Sequence, residues 1–509
     1  MKDRVPTYPG RVKLTPVEGQ ENTYDMTRAD QPTQAGTPLN KATLLRDETA
    51  EKLGLDPADD PTVDDALNGL AVRDVKNNFK VGDTLSTLRT DLGDNWLLCN
   101  GEELPAEDYP GLAELAQTGV PENFNLQSDF VENIRSWTYA KGKYIELSFE
   151  RGSTNLPVLT YCSELDGIKT QIELFKNYKD DGTYNNVTPG EIIYENGYYV
   201  VSARGNKTSS PYKSDVLIAY ATDLTGTWNY KVIWSGTGTS SNVMAEPHKL
   251  KFLNNQFVLA GVSGTSSLLY WTIAYSDSPG GTWTIKKGTW NDDIMLISDM
   301  EYLKNKYYIL AKQANNSVIM FIDSLADFPT ATNSSNTYES ATLGDNGIIG
   351  QIYYDEASDK FFLFGENYNS SNQVVYVVSE SDFADERLSD WNRGYTNSTE
   401  IGLTSLGMSD SSRRTMTRWE DYFILPYSKG IKVFSISDIL STVISSSPVT
   451  IPETGPQRQF DITYNVYLVD FLNNSFILSA FSQVLWQVPV LKLPTISNEG
   501  VYTYIKAKE

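Results

Sequence analysis

The chain has 509 residues, 40% of them hydrophobic and 21% charged, with a formal net charge of −23. At roughly 100–200 residues per domain this length asks for several packed units, and the apolar fraction excludes wholesale disorder. The acidic balance excludes nucleic acid or an anionic membrane as the main partner, because both need a positive field on the protein.

Residues 1–85 read as an extended arm followed by two short helices. Pro6, Pro9, Pro16, Pro32 and Pro38 punctuate the arm. Asn40 caps a first helix through Leu44, Leu45 and Ala50 to Leu53, which Gly54 ends. Asp60 caps a second, with Pro61 in its first turn and Val63, Ala66, Leu67 and Leu70 on one stripe. No apolar stretch follows the first residues, so no export leader is expected. Nothing approaches the ~20 apolar residues of a membrane span, so no membrane insertion is expected.

Residues 86–127 begin a small unit. Asn95-Trp96-Leu97-Leu98-Cys99-Asn100-Gly101 is a strand ending in a turn, and a short helix follows Pro110. These residues, with Phe124-Asn125-Leu126 and the ending Leu493-Pro494-Thr495-Ile496 and Tyr504-Ile505-Lys506, resemble the tail-collar domain of tailed-phage appendage proteins. The opening Val5-Pro6-Thr7-Tyr8-Pro9-Gly10-Arg11-Val12, with Pro38-Leu39-Asn40-Lys41-Ala42, resembles the attachment arm of such proteins. The family's usual Arg-Gly turn after Phe-Asn-Leu is absent. The resemblance implies a collar-like domain split into 86–127 and 491–509, with a long insertion at 128–490.

The insertion repeats an apolar strand, a polar turn and an aromatic-led strand. Tyr144, Tyr199, Phe257, Tyr307, Phe361, Phe423 and Phe476 mark seven copies, spaced by 50 to 62 residues. Short strands at this period predict a mainly β fold, a seven-bladed β-propeller. Each hairpin is apolar on both faces, as packing between neighbouring blades requires. The last copy lacks an outer strand, and residues near Phe124–Val131 are expected to supply it.

The chemistry is sparse. One histidine, His248, removes any multi-histidine metal site, and two cysteines, Cys99 and Cys162, exclude a disulfide framework while leaving one bridge open. Ser276–Trp283 and Thr222–Trp228 resemble the Asp-box turn of sialidase-type propellers, where it is structural. Scattered arginines outside any Arg-Ile-Pro context argue against a sialidase. Ala245-Glu246-Pro247-His248 resembles the Glu-x-Pro-His strand start of propeller glycosidases, one residue short, which makes Glu246 the implied general acid. Thr188 stands where that family places its Asp base. No catalytic residue, cofactor or metal is therefore expected. Loops rich in Ser, Thr, Asn, Gly and Tyr suggest a sugar-binding face. The candidate contacts are Arg204, Tyr212, Glu246, His248, Glu366, Tyr368 and Tyr427. The expectation is a trimeric virion tail or baseplate protein, made in the host cytoplasm. Its arm docks other virion proteins, and its propeller binds a host surface polysaccharide without catalysis. The alternatives are a structural tail protein whose propeller docks virion proteins, and a glycan-cleaving propeller.

Overall fold

The computed structural model describes residues 5–6, 11–29, 32–34, 51, 80–87, 92, 95–113, 115, 120–121, 124–127, 130, 133–149, 156–208, 213–236, 243–265, 268–288, 294–313, 317–328, 339–343, 347–367, 373–380, 393–395, 416–427, 430–442, 458–461, 466–480, 483–494, 496 and 502–507. The helices expected between Asn40 and Leu70 lie outside these, apart from a helical Glu51. The chain divides into two compact units, residues 1–119 with 491–509, and residues 120–490. Among the described residues no helix is long and apolar enough to cross a membrane.

In the first unit, both ends of the chain build one sheet. Tyr502–Lys506 lies between Thr84–Thr87 and Trp96–Leu98, with Tyr504 opposite Leu85 on one side and Leu98 on the other. Val490–Lys492 pairs with Glu103–Pro105. Leu112, Leu491, Leu493 and Ala507 form the small core. Nearer the N-terminus, Val12–Pro16 and Tyr24–Arg28 form a two-stranded hairpin among the described residues. Its residues alternate, so Leu14 and Met26 share one face with Val12 and Tyr24, all strongly exposed.

Among its described residues the second unit holds seven four-stranded antiparallel sheets. Their first strands are Ser136–Ala140, Tyr184–Glu195, Val243–Leu253, Ile294–Leu303, Gly347–Asp355, Thr417–Trp419 and Leu468–Leu472, which begin blades 1 to 7. Six blades take their four strands in chain order. Blade 7 takes its fourth strand, Asn125–Gln127, from the start of the unit, with Leu126 opposite Leu485. Seven apolar clusters fill the seams between successive blades, and the cluster of Trp137, Tyr144, Tyr467 and Ile477 joins blade 7 to blade 1. The ring is closed, and the mainly β propeller read from the repeat is the fold.

The repeat has two local causes. The turn between the first two strands needs left-handed backbone, supplied by Lys141-Gly142, Asn196-Gly197, Asn254-Asn255, Lys304-Asn305 and Asn473-Asn474. Two such residues make the hairpin turn that matches strand twist, which is why Asn and Gly recur there. Beside the turn, an aromatic pair crosses the strands. Tyr139–Tyr144, Tyr194–Tyr199, Phe252–Phe257, Tyr302–Tyr307, Tyr354–Phe361 and Phe471–Phe476 have ring centroids 4.5 to 4.9 Å apart. In blade 6, Phe423 instead faces Arg418, and Trp419 stacks on Tyr422.

The two Asp-box-like segments are turns between third and fourth strands. The Trp283 indole donates to the Pro279 carbonyl at 3.0 Å, and that of Trp228 to the Leu224 carbonyl at 3.2 Å. Cys99 and Cys162 are both buried and free, so the bridge left open by the sequence is not made.

Candidate functional site

The first strands of all seven blades line one central cavity of about 240 Å³. Side chains alternate along a strand, so residues two and four places before the strand's last residue share the channel side. Blade 2 presents Glu191 this way, blade 3 Lys249 and Lys251, and blade 4 Asp299 and Glu301. Blade 5 presents Gln351 and Tyr353, blade 6 Thr417, blade 7 Asp470 and Leu468, and blade 1 Ser136. Charge is therefore gathered on blades 2, 3, 4 and 7, with Arg135 just before the first strand of blade 1, while hydroxyls, an amide and the Tyr353 ring line the rest.

Most channel residues in the upper of these two tiers also tie blades together. Glu191 accepts the Leu250 backbone N–H at 2.7 Å, Asp299 that of Ile352 at 3.1 Å, and Gln351 that of Met416 at 2.8 Å. The Ser136 hydroxyl accepts that of Ile192 at 3.4 Å. In each case the donor stands three places before the end of the next blade's first strand. Lys249 has no acceptor to offer at this position. The corresponding amide, that of Met300, is taken by Asp299 of its own strand at 2.9 Å. Register slips just before these positions in blades 2 to 5 set the phase. At Gly190 a Cβ would come within 2.4 Å of the Ser202 hydroxyl, which holds the Glu191 amide.

Lysines compensate the carboxylates. Lys249 Nζ is 2.9 Å from Glu191 Oε1, and Lys251 Nζ is 2.7 Å from Asp299 Oδ1 and 2.5 Å from Glu301 Oε1. Burial pulls both lysine pKa values down, but the facing carboxylates more than reverse this and leave them raised. Burial pushes the Glu301 carboxyl above the usual range, against the pull of Lys251. It also pushes Asp470 up to about 7, with Lys249 opposing and Glu191 adding to the shift. Burial likewise holds the Tyr353 hydroxyl, which donates to the Met416 carbonyl at 2.7 Å, well above its ordinary range.

Both oxygens of Glu191 and of Asp299 are engaged. The Asp470 carboxylate carries no hydrogen bond or ion pair among the described residues, and that of Glu301 is held through one oxygen only. Both stand two places before the strand end. Their blades, 7 and 4, are three steps apart in the ring of seven, so the two carboxylates approach the channel from opposed sides.

The residues proposed from sequence fall elsewhere. Arg204 Nη1 pairs with Glu246 Oε2 at 3.0 Å, and its Nε donates to Asn206 Oδ1 at 3.1 Å. Glu246 is thus held by an arginine on the second strand of blade 2, not free as an acid. His248 is the extra residue of the bulge between Pro247 and Lys249, and its Nδ1 accepts the Ile297 amide of blade 4 at 3.0 Å. Strict alternation would put Glu246 and His248 on one face, and the bulge breaks that phase. Glu366 and Tyr427 lie on second strands opposite Gln373 and Gly430, with side chains outside what is described. Tyr212 and Tyr368 lie outside the described residues. Lys249, Lys251, Asp299, Glu301 and Asp470 were missed, although counting back from each hairpin turn finds them.

No family model and no curated protein matches the chain. Among solved structures it is similar to a prolyl endopeptidase, at 10% identity and a TM-score of 0.43, over 74% of this chain and 50% of that one. The chain therefore spans about half that enzyme's length. It is also similar to the α-L-arabinanase of Penicillium chrysogenum complexed with arabinobiose, at 10% identity and a TM-score of 0.36, over 79% of this chain and 99% of that one. The Bacillus subtilis arabinanase matches at 14% identity and a TM-score of 0.31, over 51% and 98%. At these identities the likeness is one of fold.

The expectation of a non-catalytic, glycan-binding propeller is corrected here. The solved structures named above are of enzymes, a likeness of fold alone, and the channel of this chain holds opposed, incompletely bonded carboxylates that the sequence reading did not find. The chemical argument rests on that channel.

Proposed function

We propose that the propeller channel cleaves glycosidic bonds, with Asp470 as proton donor and Glu301 as the second carboxylate. The carrying observation is their placement at one tier on opposed blades, with oxygens left for a substrate. Hydrolysis of a glycoside needs two carboxyl groups flanking the bond, one protonated and one ionised. Asp470, titrating near 7, supplies the acid, and Lys251 favours the ionised form of Glu301. The Tyr353 ring offers stacking surface for a sugar. Ligand pockets commonly reach about 300–1,000 Å³, so this smaller cavity suits about one ring at a chain end. Acyl transfer is disfavoured, because the single imidazole accepts a backbone N–H through Nδ1 and lies in a bulge.

The test is release of reducing sugar from a polysaccharide panel by the full chain. Asp470→Asn and Glu301→Gln each lower the rate at least about 10²-fold with the fold intact. Wild-type inactivity across the panel, or full activity in Asp470→Asn, overturns the reading.

Separately, the resemblance of the terminal segments supports a virion location for this chain, as a self-associating tail appendage docked through its arm. The exposed apolar face of the N-terminal hairpin adds support, because a two-stranded hairpin is marginal alone. A mass measurement in solution and antibody labelling of particles test it; a monomer absent from particles refutes it.

A further inference from the structure

The seam between blades 7 and 1 joins segments from opposite ends of the propeller, and it contains a buried acid. Along Lys143–Phe149, the second strand of blade 1, alternate side chains enter different seams. Ile145 and Leu147 pack toward blade 2, beside Tyr199 and Leu217. Tyr144 packs toward blade 7, beside Tyr467 and Ile477. Glu146 and Ser148 follow Tyr144 at every second place, so they enter the 7–1 seam. Thr160 stands opposite Glu146 on the neighbouring strand, and Trp137 opposite it on the other side. The Trp137 indole crosses the seam to the Ser479 hydroxyl of blade 7 at 2.9 Å.

Glu146 is 0% exposed. Neither of its oxygens has a hydrogen bond of ordinary geometry, nor do the Ser148 and Thr160 hydroxyls beside it. No cation pairs with it among the described residues. An ionised carboxylate so placed costs several kcal/mol, and a neutral acid avoids most of that.

We propose that Glu146 is a structural proton-binding site. The folded ring carries it as the neutral acid, and loss of the proton opens the seam between the first and last blades.

Burial pushes this carboxyl up to about 8, while the Ser148 and Thr160 hydroxyls and the charge of Lys169 pull only part of the way back. Lys169 is occupied over the Phe130 ring at 4.2 Å, and Arg135 lies over Phe149 at 4.7 Å. On blade 1, Cys162 shares the seam, and Lys143 hydrogen-bonds to Ser163. The Tyr144 hydroxyl shares a hydrogen bond with the Ser475 hydroxyl, and the Tyr467 hydroxyl donates to the Ile134 carbonyl. Blade 7 brings Ser475, Ser479 and Trp486 to this face, and no acid or base except Tyr467 among the described seam residues.

The sign follows from linkage. A carboxyl whose pKa is raised on folding stabilises the fold fully below its unfolded pKa, and that contribution is lost as pH rises through the folded value. Equilibrium denaturation of the full chain from pH 5 to 9 is the test. The wild-type unfolding constant is expected to rise by as much as about 10³-fold between pH 5 and 8, and Glu146→Gln to flatten that rise. Hydrogen exchange, corrected for intrinsic pH dependence, is expected to quicken first in Asn125–Gln127 and Gln483–Gln487. If the Gln variant does not fold, the protonated-carboxyl infrared band of wild type, lost above about pH 8, carries the test. Equal pH dependence in wild type and Glu146→Gln overturns the proposal. So does removal of the wild-type dependence by sodium, potassium or calcium at constant ionic strength, which would assign the site to a cation.

Discussion

Asp299 is where the ring bonds can be measured. Its carboxylate holds the buried Met300 amide at 2.9 Å, the buried Ile352 amide of the next blade at 3.1 Å, and Lys251 at 2.7 Å. Asp299→Ala strands two buried N–H donors and leaves Lys251 with Glu301 alone. Each orphaned buried amide costs about 1–3 kcal/mol, so the loss should be about 4 kcal/mol. Asp299→Asn keeps one oxygen as acceptor and can serve one amide, so its loss should be about 2 kcal/mol. Urea denaturation followed by tryptophan fluorescence reads both, and an unchanged m-value ensures that the midpoint reports stability. The reasoning fails if the Ala variant loses less than about 1 kcal/mol, or if Asn is no better than Ala.

Hydrolysis should fall above about pH 7 as Asp470 loses its proton, because a general acid must enter the step protonated. Lys251→Met removes the charge that lowers the Glu301 pKa, so the acid limb of the rate profile should move to higher pH. An unmoved limb would exclude Glu301 as the second carboxylate. Glu246→Gln should leave the rate within about twofold and stability within about 1 kcal/mol, since its pair with Arg204 is partly exposed. Asn255→Val, at a turn position with φ of 61°, should lose about 1–2 kcal/mol in the same denaturation assay, and Asn255→Gly little.

What could be read from the sequence was whatever local rules write into it. The hairpin turn demands left-handed residues, and the pair beside it demands aromatics, so both recur whenever the chain returns to the axis. The missing strand of blade 7 could be inferred because a blade left with three strands exposes an edge, and Asn125–Gln127 covers it. The channel was not read, because its chemistry depends on pairs distant in sequence. Lys249 finds Glu191, and Asp299 finds Ile352. Composition points instead to loops, where residue type and loop position single out Tyr212 and Tyr368. His248 shows the remaining gap. Counting forward from Glu246 by twos crosses a bulge and loses phase, whereas counting back from the turn does not cross it. The turn is the reliable origin because its backbone demand fixes the register of the strand that follows. Seen from there, acceptors at the fourth place back secure the next blade, except at Leu468 and at Lys249, where Asp299 takes the amide of its own neighbour instead. Among the described residues the second place back accepts no amide from the next blade, although the Tyr353 hydroxyl reaches the Met416 carbonyl. That leaves Glu301 and Asp470 with oxygens directed to the channel, which is why the proposed chemistry is placed on them.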